Sequence, residues 1–185
     1  GDDRVFVSSN ADLDVHTDKM TDGQADVFEF LTGHLDSISG NLNLDLGTGR
    51  HRLLISDEAA AAGDPDSLAR VGVEAVLITD AIGTPTGDGE FDDTAAAEIQ
   101  IRNLAFGDVT YGVDPSGNLF DGIIYWTGSG DDTIVIDGTH TRADERTMTL
   151  LNTGLGDDHV TVDLDNAGDD GFFALNTMGG AASVS

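Results

Sequence analysis

The stretch "NTGLGDDHVTVDL" (Asn152–Leu164) repeats "WTGSGDDTIVIDG" (Trp126–Gly138) at a distance of 26 residues. Each has Thr-Gly-x-Gly-Asp-Asp, then apolar residues at every second position. That alternation belongs to a strand with one buried face. The glycines and aspartates before it mark a tight turn. A further copy, "FALNTMGGAASVS" (Phe173–Ser185), follows 24 residues later through the shared "LNT". An earlier degenerate copy is "LNLDLGTGRHRLLIS" (Leu42–Ser56). Aligned on the turns, Leu44, Tyr125, Leu151 and Leu175 form one column, and Asp45, Trp126, Asn152 and Asn176 the next. After the turn, Leu53, Ile134, Val160 and Val184 coincide, with Ile55, Ile136 and Val162 two residues on.

Working outward, short alternating runs dominate and helical periodicity is nearly absent. Strands are expected near Arg4–Ser8, Asp26–Phe30, Leu42–Leu46, Arg52–Ser56, Ala75–Thr79, Glu98–Asn103, Ile123–Thr127, Thr133–Asp137, Thr147–Asn152, His159–Leu164, Phe172–Asn176 and Ser183–Ser185. "DEAAAAGD" and "DDTAAAE" are long enough for single helical turns only. A step of 24–27 residues is the mark of a solenoid, in which each coil buries its face against its neighbours. The expected fold is therefore all-β, an elongated parallel β-solenoid filling residues 1–185 as a single module. "GDDRVF" at Gly1 fits the same slot as "GAASVS" at Gly180. On that match, the module is expected to be one period of a tandem array or a filament subunit.

The charge is informative. Of 35 acidic residues six are glutamate and 29 aspartate, against 8 basic residues, for a net charge of −27. Aspartate suits turns and is a compact oxygen ligand for hard cations; an acidic surface adapted to high salt is the competing explanation. Such a surface repels nucleic acid and anionic membranes. There is no cysteine, hence no disulfide framework. No apolar run approaches the roughly 20 residues of a membrane-spanning helix.

"GSGDDTIVI" and "GLGDDHVTV" resemble the nonapeptide of the RTX, or haemolysin-type, calcium-binding family, Gly-Gly-x-Gly-x-Asp-x-apolar-x. Gly128, Gly130, Asp132 and Ile134 match, as do Gly154, Gly156, Asp158 and Val160. Thr127 and Thr153 stand where the family has its first glycine. "VFVSSNADLDV", "LLISDEAAAAGD", "IDGTHTRA" and "DGFFALNTMGG" resemble modules of very large bacterial secreted or cell-surface repeat proteins. The resemblance implies calcium, an extracellular bacterial setting and no enzymatic activity.

The chemistry of the turn agrees. Calcium takes about six to eight oxygens. Glycine lets a turn aim its carbonyls inward, and the aspartate adds a carboxylate. Two turns stacked about 4.8 Å apart can share one ion; without it their carboxylates repel. The candidate ligand region is Gly128, Gly130, Asp131 and Asp132 with Gly154, Gly156, Asp157 and Asp158, Asp132 and Asp158 supplying side chains. The alternative is a plain turn capped by aspartate. "MGGAASV" carries Ala181 and Ala182 where aspartates would stand, and "GTGRHRL" carries Arg50 and His51, with Arg50 as a substitute for the ion's charge.

Weaker calcium candidates are Asp163, Asp165, Asp169 and Asp170 in "DLDNAGDDG", and Asp88, Glu90, Asp92 and Asp93 in "DGEFDD". The histidines show no ligand pairing, and no nucleophile motif is present. The reading is a non-enzymatic structural module stiffened by calcium, stacking on neighbouring copies of itself. The alternatives are a calcium-dependent adhesin using Trp126 and binding surface glycans, and a polysaccharide-active β-helix enzyme.

Overall fold

The computed structural model describes residues 1–9, 33–60, 99–142, 145–164, 171–177 and 183–185. These form strands and turns, with no helix among the described residues. The strands are β1 (Arg4–Val7), β2 (Leu42–Asp45), β3 (Arg52–Ser56), β4 (Ile99–Ile101), β5 (Val109–Gly112), β6 (Ile123–Trp126), β7 (Thr133–Asp137), β8 (Thr141–Arg142), β9 (Glu145–Arg146), β10 (Met148–Asn152), β11 (His159–Asp163), β12 (Phe172–Asn176) and β13 (Ser183–Val184).

The largest sheet is parallel, in the order β1-β3-β6-β10-β12. Its register places Val5, Leu53, Ile123, Thr149 and Phe173 in one column, and Val7, Ile55, Tyr125, Leu151 and Leu175 in another. The inner members Leu53, Ile55, Ile123, Tyr125 and Leu151 are fully buried. A second parallel sheet, β13-β11-β7, stacks Ile134 on Val160 and Val184. Side chains of both sheets meet in one hydrophobic core. Alternation therefore does what the sequence implies, sending every second residue inward.

The expected elongated solenoid of equal coils is corrected by the rest of the chain. The third sheet, β2-β5-β4, is mixed: β5 runs parallel to β2 and antiparallel to β4. β8 and β9 form an antiparallel pair of their own. The reversal into β5 follows "RNLAFGD", where Asn103 takes a left-handed φ of 59°. Asparagine tolerates that conformation better than most residues. Ile99 and Ile101 then bury against the core instead of starting a new parallel coil. The regular step holds only from β6 onward, at 26 and 24 residues; β1 to β3 is 48 and β3 to β6 is 70.

All four column assignments of the Leu42–Ser56 copy change with it, Asp45 pairing with Gly112 and Ile55 with Tyr125. Leu44 pairs with Tyr111 of β5, not with Tyr125, and Leu53 pairs with Ile123, not Ile134. Arg4–Val7 lies in the sheet before the turn, whereas Ser183–Val184 lies in the sheet after it. The two ends of the chain thus occupy different phases. The strands expected at Asp26–Phe30 and Ala75–Thr79, and the turn "MGGAA", lie outside the described residues, as do the second half of "DEAAAAGD" and all of "DDTAAAE".

β5 joins the core through Tyr111. Its hydroxyl hydrogen-bonds that of Tyr125, both rings being buried. Burial raises both phenols far above the ordinary range, so both stay protonated. Tyr125→Phe leaves the Tyr111 hydroxyl without this partner. Chemical denaturation should show a loss of about 1–3 kcal/mol; no loss would mean the pair contributes nothing.

Candidate metal centre

The two Gly-Asp turns lie one on the other. β6 pairs with β10 before the turn and β7 with β11 after it, both at a 26-residue offset. A parallel bridge joins Ser129 to Leu155, and the Gly130 N–H donates to the Leu155 carbonyl at 2.7 Å. The approach is close enough to demand glycine. A Cβ built at Gly156 (φ 154°) would overlap the Gly130 carbonyl oxygen, and one at Gly154 (φ 76°) the Gly128 carbonyl oxygen.

Each Asp-Asp pair divides between solvent and interior. Asp131 and Asp157 are exposed, with the Asp157 N–H donating to Asp131 Oδ1 at 2.8 Å. Asp132 and Asp158 are only 4% and 1% exposed. The Asp132 N–H donates to Asp158 Oδ1 at 3.1 Å, and the His159 N–H to the Asp132 carbonyl at 2.7 Å. The remaining carboxylate oxygens, Asp132 Oδ2 and Asp158 Oδ2, are buried without a hydrogen-bond partner. Removal from water raises the Asp132 pKa to about 7; the neighbouring Thr127 hydroxyl opposes the rise, and the charges of Asp158 and Asp131 add to it. Asp132, buried beside a second carboxyl group, therefore keeps its proton or needs a cation.

The donor set fits a hard cation in type: buried carboxylate oxygens beside turn carbonyls, without nitrogen or sulfur. Its acidic part is small. Among the described residues no three His, Asp or Glu side chains converge on one point. Asp132 and Asp158 would hold calcium, with carbonyls of the same turns, and the ion would neutralise the pair.

The structure brings together all eight residues of the main prediction, with Asp131 and Asp157 turned outward. Asp163 ends β11, is exposed, and pairs in register with Asp137. Asp165, Asp169 and Asp170, and the whole of "DGEFDD", lie outside the described residues. Arg50 does not stand in for an ion. Its guanidinium meets Asp121 at 2.5 Å and lies 4.2 Å from the Phe120 ring centre, while its N–H donates to Asp2 Oδ1. His159 is exposed, with Nδ1 2.7 Å from Ser183 Oγ.

In the motif Thr127 and Thr153 stand only as replacements for a glycine. They are 2% and 0% exposed, and the Thr127 hydroxyl donates to the Thr153 carbonyl at 3.0 Å. The signal was the Thr shared by both copies, five residues before the inner aspartate. No family model, no curated protein and no solved structure matches this chain.

Proposed function

We propose that the chain is a non-enzymatic structural module of an extracellular bacterial protein, stiffened by one calcium ion between the Gly128–Asp132 and Gly154–Asp158 turns. The observation that carries this reading is the pair of buried carboxylates, Asp132 and Asp158, each with an unpartnered oxygen in stacked turns. The likeness of both turns to the RTX nonapeptide supports calcium as the ion. A site of two carboxylates and carbonyls is weak by calcium-protein standards and suits the near-millimolar calcium outside cells. Binding removes the repulsion between the turns and ties β6–β7 to β10–β11.

Stacking on neighbouring copies belongs to the same proposal. β12 borders the large sheet and β13 the second, and Phe172 and Val184 on them are half exposed. Sedimentation of the purified chain with calcium tests this part, and a strict monomer at high concentration would remove it.

Thermal unfolding tests the site. Calcium at about 100 times its Kd should stabilise by about 2.7 kcal/mol and raise Tm by roughly 5–10 °C. Magnesium, which keeps its water shell, should do far less. An equal rise with sodium chloride alone would replace the calcium reading by general charge screening.

A further inference from the structure

The pair of acidic turns has a counterpart beside β1. Gly1-Asp2-Asp3 lies on Gly49-Arg50-His51 as Gly130-Asp131-Asp132 lies on Gly156-Asp157-Asp158. The Gly1 nitrogen donates to the Thr48 carbonyl at 2.9 Å, as the Gly130 N–H does to that of Leu155. The Arg50 N–H donates to Asp2 Oδ1 at 2.9 Å, as that of Asp157 does to Asp131 Oδ1. The Arg52 N–H donates to the Asp3 carbonyl at 2.9 Å, as that of His159 does to Asp132. A Cβ at Gly49 (φ 128°) would overlap the Gly1 carbonyl oxygen, as one at Gly156 would overlap that of Gly130. Each pair of turns leads into a parallel pair of strands, β1 and β3 in one case, β7 and β11 in the other.

The inner residues differ. His51 stands in the place of Asp158 and is fully buried. Its Nδ1 accepts the Asp3 N–H at 3.3 Å, where Asp158 Oδ1 accepts that of Asp132 at 3.1 Å. The same nitrogen lies 3.3 Å from Asp3 Oδ2. An imidazole nitrogen accepts in one tautomer and donates in the other, so it can serve the amide or the carboxylate of Asp3. A carboxylate in its place would only accept, and it would add a second negative charge. Asp3 departs from Asp132 as well, since its side chain is 56% exposed and its charge is solvated. These turns therefore hold one inner carboxylate, with no like charge for a cation to neutralise.

We infer that His51 is a metal-free replacement for the second carboxylate and its cation: through Asp3 it fastens β1 to β3 with or without calcium, and it leaves this pair of turns out of the calcium response. The contrast between the two pairs rests on the calcium reading above; the fastening through His51 does not. The two pairs share one backbone arrangement, so a single side chain decides which of them takes an ion. His51→Asp restores the acidic pair and creates a second calcium site.

The test uses the full chain. Amide hydrogen exchange, followed by NMR with calcium and in chelator, reads the two pairs of turns separately. Removing calcium should speed exchange at Asp132 and His159 by about tenfold or more and leave Asp3 and Arg52 unchanged. Exchange at Asp3 and Arg52 that rises as it does at Asp132 overturns the inference and leaves the calcium site standing. His51→Leu removes the nitrogen at similar size. In chelator it should speed Asp3 exchange by about tenfold, while His51→Asn, which keeps an acceptor, should hold it near wild type. Unchanged Asp3 exchange in His51→Leu overturns the inference whatever calcium does. By titration calorimetry, His51→Asp should bind one calcium more than wild type, in the near-millimolar range of weak sites; an equal count overturns the equivalence of the two pairs. A wild-type chain in which calcium alters no amide of either pair removes the calcium reading, and the His51→Leu result then decides the role of His51. Should His51→Leu not fold, His51→Ala takes its place.

Discussion

Gly156→Ala should destabilise the chain by about 3 kcal/mol or more, measured by urea unfolding. Two effects add. The φ of 154° is one that L side chains rarely adopt, and the new methyl would sit on the Gly130 carbonyl oxygen. That oxygen belongs to backbone held by the Gly130–Leu155 and Asp132–Asp158 hydrogen bonds, so it cannot swing aside as a side chain would. Gly47→Ala is the control. Gly47 also has positive φ, at 68°, but nothing lies within 4 Å of its added Cβ. Its cost should be only about 1 kcal/mol, the backbone preference alone. Equal losses at the two positions would mean that the turns do not stack as closely as described.

Asp132→Asn should have the second large effect, a gain in stability without calcium that shrinks when calcium is added. The folded chain raises the Asp132 pKa to about 7 from an ordinary value of 3.8. A raised carboxyl pKa means that the folded state holds the proton more tightly. The stability tied to it is fully present below about pH 4 and is lost as pH rises through 7. Across that window the loss is on the order of 4 kcal/mol. Asparagine has no proton to lose. In a chelator at about pH 8 the variant should be more stable than wild type by a comparable amount, and the two should converge near pH 4. Calcium at about 100 times Kd should narrow that gap by about 2.7 kcal/mol, and at about 1,000 times Kd close it, because wild type gains the ion and the variant does not. A wild-type minus variant difference that stays constant from pH 4 to 8 would exclude Asp132 as the titrating group.

The part of the fold closest to the quoted stretch was legible in residue types alone. Tyr125, Leu151 and Leu175 share a column, and so do Ile134, Val160 and Val184, because each copy carries the same turn at the same distance from its apolar residues. The earlier "GTG" misled for a physical reason. It looks like "GSG" and "GLG", but it stacks on a different loop: Arg50 bridges to Asn118, and Gly117 packs on the Gly47 carbonyl. Glycine spacing reports a tight turn and not which turn lies above it. β5 escaped notice because "VTYG" is four residues set among glycine and aspartate, and its burial depends on distant partners. In the site, Asp132 and Asp158 were separable from Asp131 and Asp157 by phase, since each stands two residues before an inward-facing Ile134 or Val160.

The uneven spacing of the strands bears on how the molecule assembles in time. β10 finds β6 across 26 residues and β12 finds β10 across 24, whereas β3 must find β6 across 70. Each doubling of loop length adds only about 0.6 kcal/mol of closure entropy, so the long connection costs little at equilibrium. Its weight is kinetic, since distant pairings form late. The two acidic turns lie within the short-range half. They are brought together by closing a loop of 26 residues, so an ion bound there strengthens a pairing that does not depend on the 70-residue connection.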